Sequence, residues 1–196
     1  MNILTLILLI IFLLIIYAIA TYNSFRILQI RIKASIQEIG NQLKRQAELI
    51  PNLVESTKGY LEHEKDIFDR LTEARKAIVE AINSGSLQKM VDTQELISQA
   101  IQPLRVIVES NPQLQSAAVV TNLMNELRDT ADKVMYARRT LIDLTADYNT
   151  KLMTIPTSWI GSVFKFEKEK GLKVEANESF LKVSDQEVRT PKVNFD

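Results

Sequence analysis

The sequence predicts an all-α protein, in which an N-terminal transmembrane helix is followed by an antiparallel, up-and-down helical bundle. The chain contains only five glycines and five prolines, too few for a protein with many turns, and it is rich in residues of high helix propensity. Residues 3–20 carry no charge, and the first charged side chain is Arg26. From residue 28 onward, apolar residues recur every three or four positions, which is the period of an amphipathic helix.

The N-terminal apolar run is long enough to cross a membrane. Fourteen of the eighteen residues in 3–20 are Ile, Leu or Phe, and a helix of this length spans about 27 Å, against about 30 Å of bilayer hydrocarbon. A cleaved signal peptide is an alternative, because Ala18-Ile19-Ala20 resembles a cleavage site, but no Lys or Arg precedes the run. A buried core helix is a second alternative. We expect a retained anchor, residues 1–23, that contacts the lipid bilayer through residues 3–20.

The charges that flank the anchor predict its orientation. Arg26, Arg31 and Lys33 follow the apolar run, whereas no basic side chain precedes it. The positive-inside rule therefore predicts a single-pass protein with its N-terminus outside and its large domain in the cytoplasm. Tyr17 and Tyr22 lie near the cytoplasmic end of the run, where tyrosine commonly contacts lipid headgroups. Both are candidate membrane-interface residues.

The amphipathic stretch, residues 24–156, predicts a bundle of long helices. Gly85 is well placed to end a helix in the left-handed conformation. Ser86 can cap the next helix, over about residues 86–109. Asn111-Pro112 pairs a capping residue with a proline at the first helical position, which indicates the start of a third run.

Pro51 leaves the number of helices open. Proline removes a hydrogen bond inside a helix, at a cost of about 3 kcal/mol, so it can kink a helix or end it. A continuous helix over residues 22–83 would be about 90 Å long, far longer than the helix that follows it. A break near Pro51 gives four long helices of comparable length, and we favour it over three long helices with a kink. At Pro103 we expect only a kink.

Residues 157–196 differ in character from the bundle. A short apolar cluster contains Trp159, Ile160, Val163, Phe164 and Phe166. This segment is either a lid that docks on the end of the bundle or an interfacial segment, with Trp159 and Phe164 in the lipid headgroup region. Residues 167–190 are polar, and we expect them to be mobile. Residues 191–195 are either a frayed end or an extended peptide that a partner binds.

The sequence contains no recognisable catalytic or cofactor-binding arrangement. It has no cysteine, which excludes disulfides, thiolate metal sites and a cysteine nucleophile. The single histidine, His63, precedes a glutamate, but Ile67 stands where a zinc-protease motif requires a second histidine. The carboxylates of residues 62–70 alternate with Lys65 and Arg70, as on an ion-paired helix face. We expect no enzymatic activity, cofactor or metal, and the balance of 24 basic and 24 acidic residues gives no reason to expect nucleic-acid binding.

Several blocks of the sequence resemble the signature of the LemA family. They are residues 42–45, 48–55, 58–60, 63–65, 72–75, 111–112 with Leu114, 136–139, 147–149 and 191–195. Ala34-Ser35 departs from the pattern, because the family usually has a tryptophan there, and Asn194 stands where it usually has aspartate. The resemblance implies a bacterial inner-membrane protein with an N-terminal anchor and an up-and-down four-helix bundle. It implies no reaction or substrate.

The predicted function is that of a non-enzymatic scaffold or adaptor for membrane or cytoplasmic proteins. The protein partner is unidentified, and a homo-oligomer is an open alternative. The candidate contacts, which can equally form a packed corner of the bundle, are Lys44, Arg45, Pro51, Asn52, Glu55 and Tyr60. One alternative function is a lipid-responsive structural protein that uses residues 159–166. Another is an enzyme that uses the 62–70 carboxylates.

Overall fold

A computed structural model describes residues 2–60 and 64–172, and every regular element in these two ranges is helical. The α-helices are α1 (Ile3–Thr57), α2 (Lys65–Ser84), α3 (Leu87–Ser110), α4 (Pro112–Ser116), α5 (Ala118–Met153) and α6 (Thr157–Val163). The prediction of an all-α protein with a long, apolar N-terminal helix is confirmed. The predicted tail lies outside the described residues from residue 173 onward, and so do Glu62 and His63.

Helix α1 carries both the apolar run and part of the folded domain without a break. None of its residues before Thr21 is buried, whereas one face of the helix is buried from Thr21 to Thr57. Its apolar run has a mean hydropathy of 3.3 over an 18-residue window, which makes it long and apolar enough to cross a membrane. Within the described ranges α1 is the one helix of which this holds. Continuous helix therefore joins the apolar run to the domain.

Pro51 lies inside α1, and the chain breaks shortly after it. Helix α1 continues through Pro51 and ends at Thr57, so the break that we favoured near Pro51 lies beyond the proline. The chain leaves the helix at a short 3₁₀ turn, Lys58–Tyr60, so a single kinked helix extending to residue 83 is wrong. The two helices expected on either side of a break are present, but the break lies about two helical turns beyond Pro51.

A hydrogen bond from a neighbouring helix explains why Pro51 is tolerated inside α1. Proline has no N–H, so the carbonyl oxygen of Ala47, four residues earlier, lacks its usual helical donor. Nε of Arg75, on α2, donates a hydrogen bond of 3.2 Å to this oxygen. Leu49 and Ile50, just before the proline, are both buried and hold this part of α1 in the core. The acceptor that Pro51 leaves free is therefore paired.

Local capping residues define the ends of α2, α3 and α4. Gly85 ends α2 with φ of 62°, in the left-handed region that favours glycine. The Ser86 hydroxyl accepts a hydrogen bond from the first turn of α3, and the Asn111 side chain accepts two from the first turn of α4. These three predicted caps are confirmed. Pro103 does not end α3, as expected.

The third predicted run is divided into two helices. It starts at Pro112 as expected, but α4 ends at Ser116, and Ala117 is extended before α5 begins. Leu114, on α4, is fully buried and anchors this turn to the core. The bend allows the chain to reverse between α3 and α5, whereas one straight helix from residue 112 would continue past the core.

Helices α1 and α5 pack against each other and run antiparallel. Three side-chain pairs set their register: Ser24 with Lys151, Gln29 with Tyr148, and Arg45 with Glu126. Helix α2 packs on α1, and α3 packs on α2. A single apolar cluster extends along α1 from Phe25 to Leu53 and includes buried residues of α2, α3, α4 and α5.

Helices α2 and α3 accompany α1 and α5 over only part of their length. Because Arg75 lies opposite Ala47, the C-terminal end of α2 is level with about residue 38 of α1. Between this level and the apolar run, α1 and α5 continue without α2 and α3 as a two-helix stalk, and α6 packs on both of them. Helix α3 makes few contacts with α5, so the surface between these two helices is open.

Candidate functional site

The end of the stalk next to the apolar run carries a cluster of aromatic rings. The Phe166 ring stacks on Phe25, with centroids 4.8 Å apart, and the Phe164 ring lies 4.9 Å from that of Tyr22. The guanidinium of Arg26 lies 5.2 Å from the Tyr22 ring centroid, and its Nε donates to the Tyr22 hydroxyl at 3.0 Å. The segment after α5 is therefore packed against the first turns of α1 beyond the apolar run.

Helix α6 has one side against the stalk and one side exposed. Gly161 is buried, and a Cβ at this position would lie 2.8 Å from Cδ1 of Leu152, so α6 approaches α5 closely there. On the other side, Trp159 is 65% exposed and Val163 is 74% exposed. Residues 157–166 thus form a docked lid at Gly161 and Phe166, while the predicted interface residues Trp159 and Phe164 keep apolar surface exposed.

Residues after α6 follow α5 back along the stalk. The backbone N–H of Glu169 donates to Oδ1 of Asn149 at 3.1 Å, and Nδ2 of Asn149 donates to the Glu169 carbonyl at 3.0 Å. Leu172 is partly buried against the core. Residues 167–172 therefore contact α5 and the core, and the mobility expected of the tail stays a prediction. A single asparagine, which sequence reasoning cannot pair with a backbone twenty residues away, accounts for much of this attachment.

Tyr148 lies at the centre of the stalk and is fully buried. Its ring meets Phe25 edge-on at 5.5 Å, and Nε2 of Gln29 donates to its hydroxyl at 3.3 Å. Burial raises the pKa of the Tyr148 hydroxyl, and the carboxylate of Glu169 raises it further, while the bond from Gln29 opposes this shift. The group is a neutral structural residue in the physiological pH range.

A groove of about 490 Å³ lies between α3 and α5, with α1 as its floor. Its apolar lining includes Ile97, Ile101, Met124 and Leu127, and its rim carries Arg105 and Arg128. Arg105 forms an ion pair of 2.8 Å with Glu109, whereas Arg128 forms none with any described residue. The groove therefore combines an apolar wall with one uncompensated positive charge.

Gln46 is a buried polar residue on the floor of this groove. Its side chain is fully buried, and neither Oε1 nor Nε2 has a hydrogen-bond partner among the described residues. Oε1 of Gln94, on α3, also lacks a partner there. Each such atom costs about 1–3 kcal/mol in lost hydration. Sequence reasoning missed this site, although a glutamine three residues after Leu43 and four before Ile50 falls on the buried face of α1.

The predicted partner contacts occupy the far end of α1 and the turn after it. Lys44, Asn52 and Glu55 are exposed, and Tyr60 is 48% exposed. Pro51 is partly buried and Arg45 is paired with Glu126 on α5. The set therefore mixes exposed side chains with residues that hold α1 to its neighbours. Whether a partner contacts the exposed members stays a prediction.

The carboxylates proposed for an enzymatic alternative are spread along the exposed start of α2. Asp66 forms an ion pair of 2.8 Å with Arg70, and both side chains are more than half exposed. Glu64 and Asp69 are also exposed, and Glu62 lies outside the described residues. No group of three or more potential metal ligands occurs in the part of the chain that the structure describes. An exposed ion pair of this kind offers no preorganised site for proton transfer.

Comparison with known protein families identifies the chain. Residues 35–195 match the LemA family, a match that starts in the stalk and covers the rest of the domain. The chain belongs to the LemA family. No curated protein matches the sequence. The LemA family is not known as an enzyme family. The match excludes the apolar run, so it identifies the helical domain without bearing on membrane attachment.

In this LemA chain, several of the sequence blocks that resemble the family signature hold helices together. Arg75, in the 72–75 block, donates to Ala47, the residue directly before the 48–55 block that contains Pro51. The 111–112 block caps α4, and the 147–149 block supplies Tyr148 and Asn149 to the stalk. The described parts of these blocks therefore have clear structural roles.

Proposed function

We propose that this LemA-family protein is a single-pass, membrane-anchored, non-enzymatic scaffold. Residues 3–20 cross the bacterial inner membrane, with the N-terminus outside and the helical domain in the cytoplasm. Two features support this arrangement: the apolar run buries none of its residues within the protein, and Arg26, Arg31 and Lys33 follow it. The stalk then holds the rest of the domain away from the bilayer surface.

The scaffold surface that we propose is the groove between α3 and α5. In this view α1, α2, α3 and α5 form an up-and-down bundle of four long helices that is open along one side. The observation that carries the proposal is the open groove itself, in which the apolar side chains of Ile97, Ile101 and Met124 lie beside Arg128, unpaired among the described residues. A ligand that covers this apolar wall and pairs with Arg128 would be held by both contacts.

The occupant that fits best is an amphipathic helix of a partner protein. Two antiparallel helices bound the groove, and the lining residues of α3 extend from Gln94 to Glu109, about 22 Å along the helix axis. This length accommodates about four turns of a bound helix. Its apolar face would cover Ile97 and Met124, and an acidic side chain would pair with Arg128.

Photocrosslinking in native membranes tests this function. A photoreactive residue at Asn125, which lines the groove, is compared with one at exposed Lys76 on α2 and one at Asn52 on the predicted contact surface. We expect a polypeptide crosslinked from position 125 and not from 76. A synthetic peptide of the crosslinked segment should bind the full-length protein in nanodiscs, and Arg128→Glu should weaken binding at least about tenfold.

The alternative outcomes are distinguishable. Crosslinks from Asn52 alone would move the contact to the far end of α1. Crosslinks only between two copies of this chain would make the groove a homo-oligomer interface. Position 125 giving no more product than position 76 would contradict the scaffold groove altogether.

A further inference from the structure

We infer that α6 and its flanking residues form a second membrane contact, which binds the phospholipid surface beside the anchor. The contact uses the exposed apolar side chains Met153, Ile155, Trp159, Val163 and Phe164. The inference rests on the anchoring of α1 proposed above and is independent of the groove. The lid at the end of the stalk therefore binds the lipid headgroup layer.

The position of α6 relative to the anchor is the first argument. The Phe164 ring lies 4.9 Å from the Tyr22 ring, and Tyr22 is two residues beyond the end of the 3–20 run. Two residues of helix correspond to about 3 Å along the axis. The headgroup layer extends about 5–7 Å beyond the hydrocarbon on each side of a bilayer. If residues 3–20 span the hydrocarbon, Phe164 lies at headgroup depth.

The distribution of apolar surface on α6 is the second argument. Gly161 faces Leu152 of the stalk, and Phe166 fills the space over Phe25, so these two residues account for docking on the protein. Trp159 and Val163, four residues apart, share the opposite side and are 65% and 74% exposed. Met153, the last residue of α5, and Ile155, in the turn before α6, are 66% and 71% exposed. A group of exposed apolar side chains on one short segment favours a binding surface there.

The residue types on this patch favour lipid as the occupant. Tryptophan and phenylalanine are the side chains that short interfacial helices place in the headgroup region. Lys165, directly after Phe164, and Arg26, beside Tyr22, supply cationic groups at the same end of the protein. The acidic residues Glu167 and Glu169 follow Phe166, where the chain returns along the stalk toward Tyr148. Phe164 contacts Tyr22, so an anchor at residues 3–20 would bring the bilayer surface next to these side chains.

The fluorescence of Trp159 tests the inference directly, because it is the only tryptophan in the chain. The full-length protein is reconstituted into nanodiscs of phosphatidylcholine and phosphatidylglycerol, with or without lipids brominated near the headgroup end of their acyl chains. We expect blue-shifted Trp159 emission and at least about a twofold loss of intensity with the brominated lipids. Aqueous iodide should quench it weakly.

Two matched proteins calibrate the measurement, both carrying Trp159→Phe. Tyr136→Trp places the probe on α5, 74% exposed and far from the anchor, and should be quenched by iodide and not by brominated lipid. Tyr17→Trp places it at the end of the apolar run and should be quenched by brominated lipid. A Tyr17→Trp probe insensitive to the lipid would contradict anchoring itself and, with it, this inference.

Substitution of Val163 provides a second readout without disturbing the core, because this side chain is 74% exposed. Val163→Glu should reduce the lipid quenching of Trp159 at least about twofold, whereas Val163→Leu should preserve it. Trp159 emission that matches the Tyr136→Trp protein would overturn the inference. So would a blue-shifted emission insensitive to brominated lipid, since a protein surface would then cover the patch.

Discussion

The guanidinium of Arg75 donates a hydrogen bond of 3.2 Å to the carbonyl oxygen of Ala47, the acceptor that Pro51 leaves without a helical donor. This bond joins α2 to α1 where a break in α1 was predicted. The proline and the arginine lie 24 positions apart in the sequence. This contact can be recognised only once α1 and α2 are seen packed together. It predicts that substitutions at Pro51 and Arg75 have coupled effects on the stability of the protein.

Arg75→Ala should destabilise the protein mainly when Pro51 is present. With proline, the substitution leaves the Ala47 carbonyl unpaired and should cost about 1–3 kcal/mol. In a Pro51→Ala background the residue 51 N–H can bond that carbonyl, so we expect the cost to fall by at least about 0.5 kcal/mol. Urea unfolding of the four proteins measures the coupling. Arg70→Ala, which removes an exposed ion pair on α2, is the control and should cost less than about 1 kcal/mol. Equal Arg75→Ala costs in both backgrounds would contradict the explanation for Pro51.

Tyr148 should make stability fall at high pH. Burial and Glu169 raise the pKa of the Tyr148 hydroxyl above the ordinary value of 10.0, so near that pH the unfolded state loses this proton before the folded state does. The stabilisation is present in full below pH 10.0 and decreases as the pH rises toward the folded-state pKa. Tyr148→Phe should flatten this dependence, at a cost of about 0.5–1.5 kcal/mol for the lost bond from Gln29. Thermal unfolding from pH 8 to 11 measures it, with Tyr136→Phe as the exposed control. An unchanged slope in Tyr148→Phe would argue against the assignment.

Gln46→Met should stabilise the protein. The substitution removes two buried polar atoms that lack partners and keeps the side-chain length, so we expect a gain of at least about 2 kcal/mol. For a chain of this size each kcal/mol corresponds to a rise of about 2–4 °C in Tm. Calorimetry of the full-length protein in nanodiscs measures this. Gln99→Met, on the exposed side of α3, should leave the Tm nearly unchanged. A Tm lowered by Gln46→Met would mean that the amide is paired in solution.

Asn149→Ala should release the segment that follows α6. The substitution removes both hydrogen bonds between the Asn149 side chain and the Glu169 backbone. We expect hydrogen exchange in residues 166–172 to accelerate at least about tenfold, with a loss of about 1–2 kcal/mol in overall stability. Hydrogen-exchange mass spectrometry measures the effect, and Asn52→Ala on the exposed surface of α1 is the control. Unchanged exchange in this segment would show that the Phe166–Phe25 contact alone holds it.

The parts of the fold that sequence predicted are those determined by local chemistry. Gly85, Ser86 and Asn111 act within a few residues of themselves, so their capping roles could be inferred from neighbouring residues alone. The continuation of α1 through Pro51 depends on a contact with Arg75, and the attachment of residues 167–172 depends on Asn149. Neither contact has a local signal in the sequence. The bend at Ala117 also has no marker, because alanine favours helix.

The candidate sites, like the elements of the fold, divide into those that have a local signal in the sequence and those that have none. Trp159 and Phe164 were identified from residue type, and the structure adds that Gly161 and Phe166 carry the docking while Trp159 stays exposed. The groove was not predicted, because it exists only where α3 and α5 fail to close against each other. The sequence indicated a buried polar site at Gln46 only weakly, because this glutamine falls on the buried face of α1.

The side of the membrane on which the domain lies tests the account most directly, since every proposed contact depends on it. The chain has no cysteine, so a single Lys76→Cys on exposed α2 can be labelled without background. Spheroplasts expressing the full-length variant are treated with a membrane-impermeant maleimide before and after permeabilisation, and the protein is recovered from carbonate-washed membranes. The account predicts labelling only after permeabilisation. Labelling in intact spheroplasts, or recovery of the protein in the soluble fraction, would contradict it.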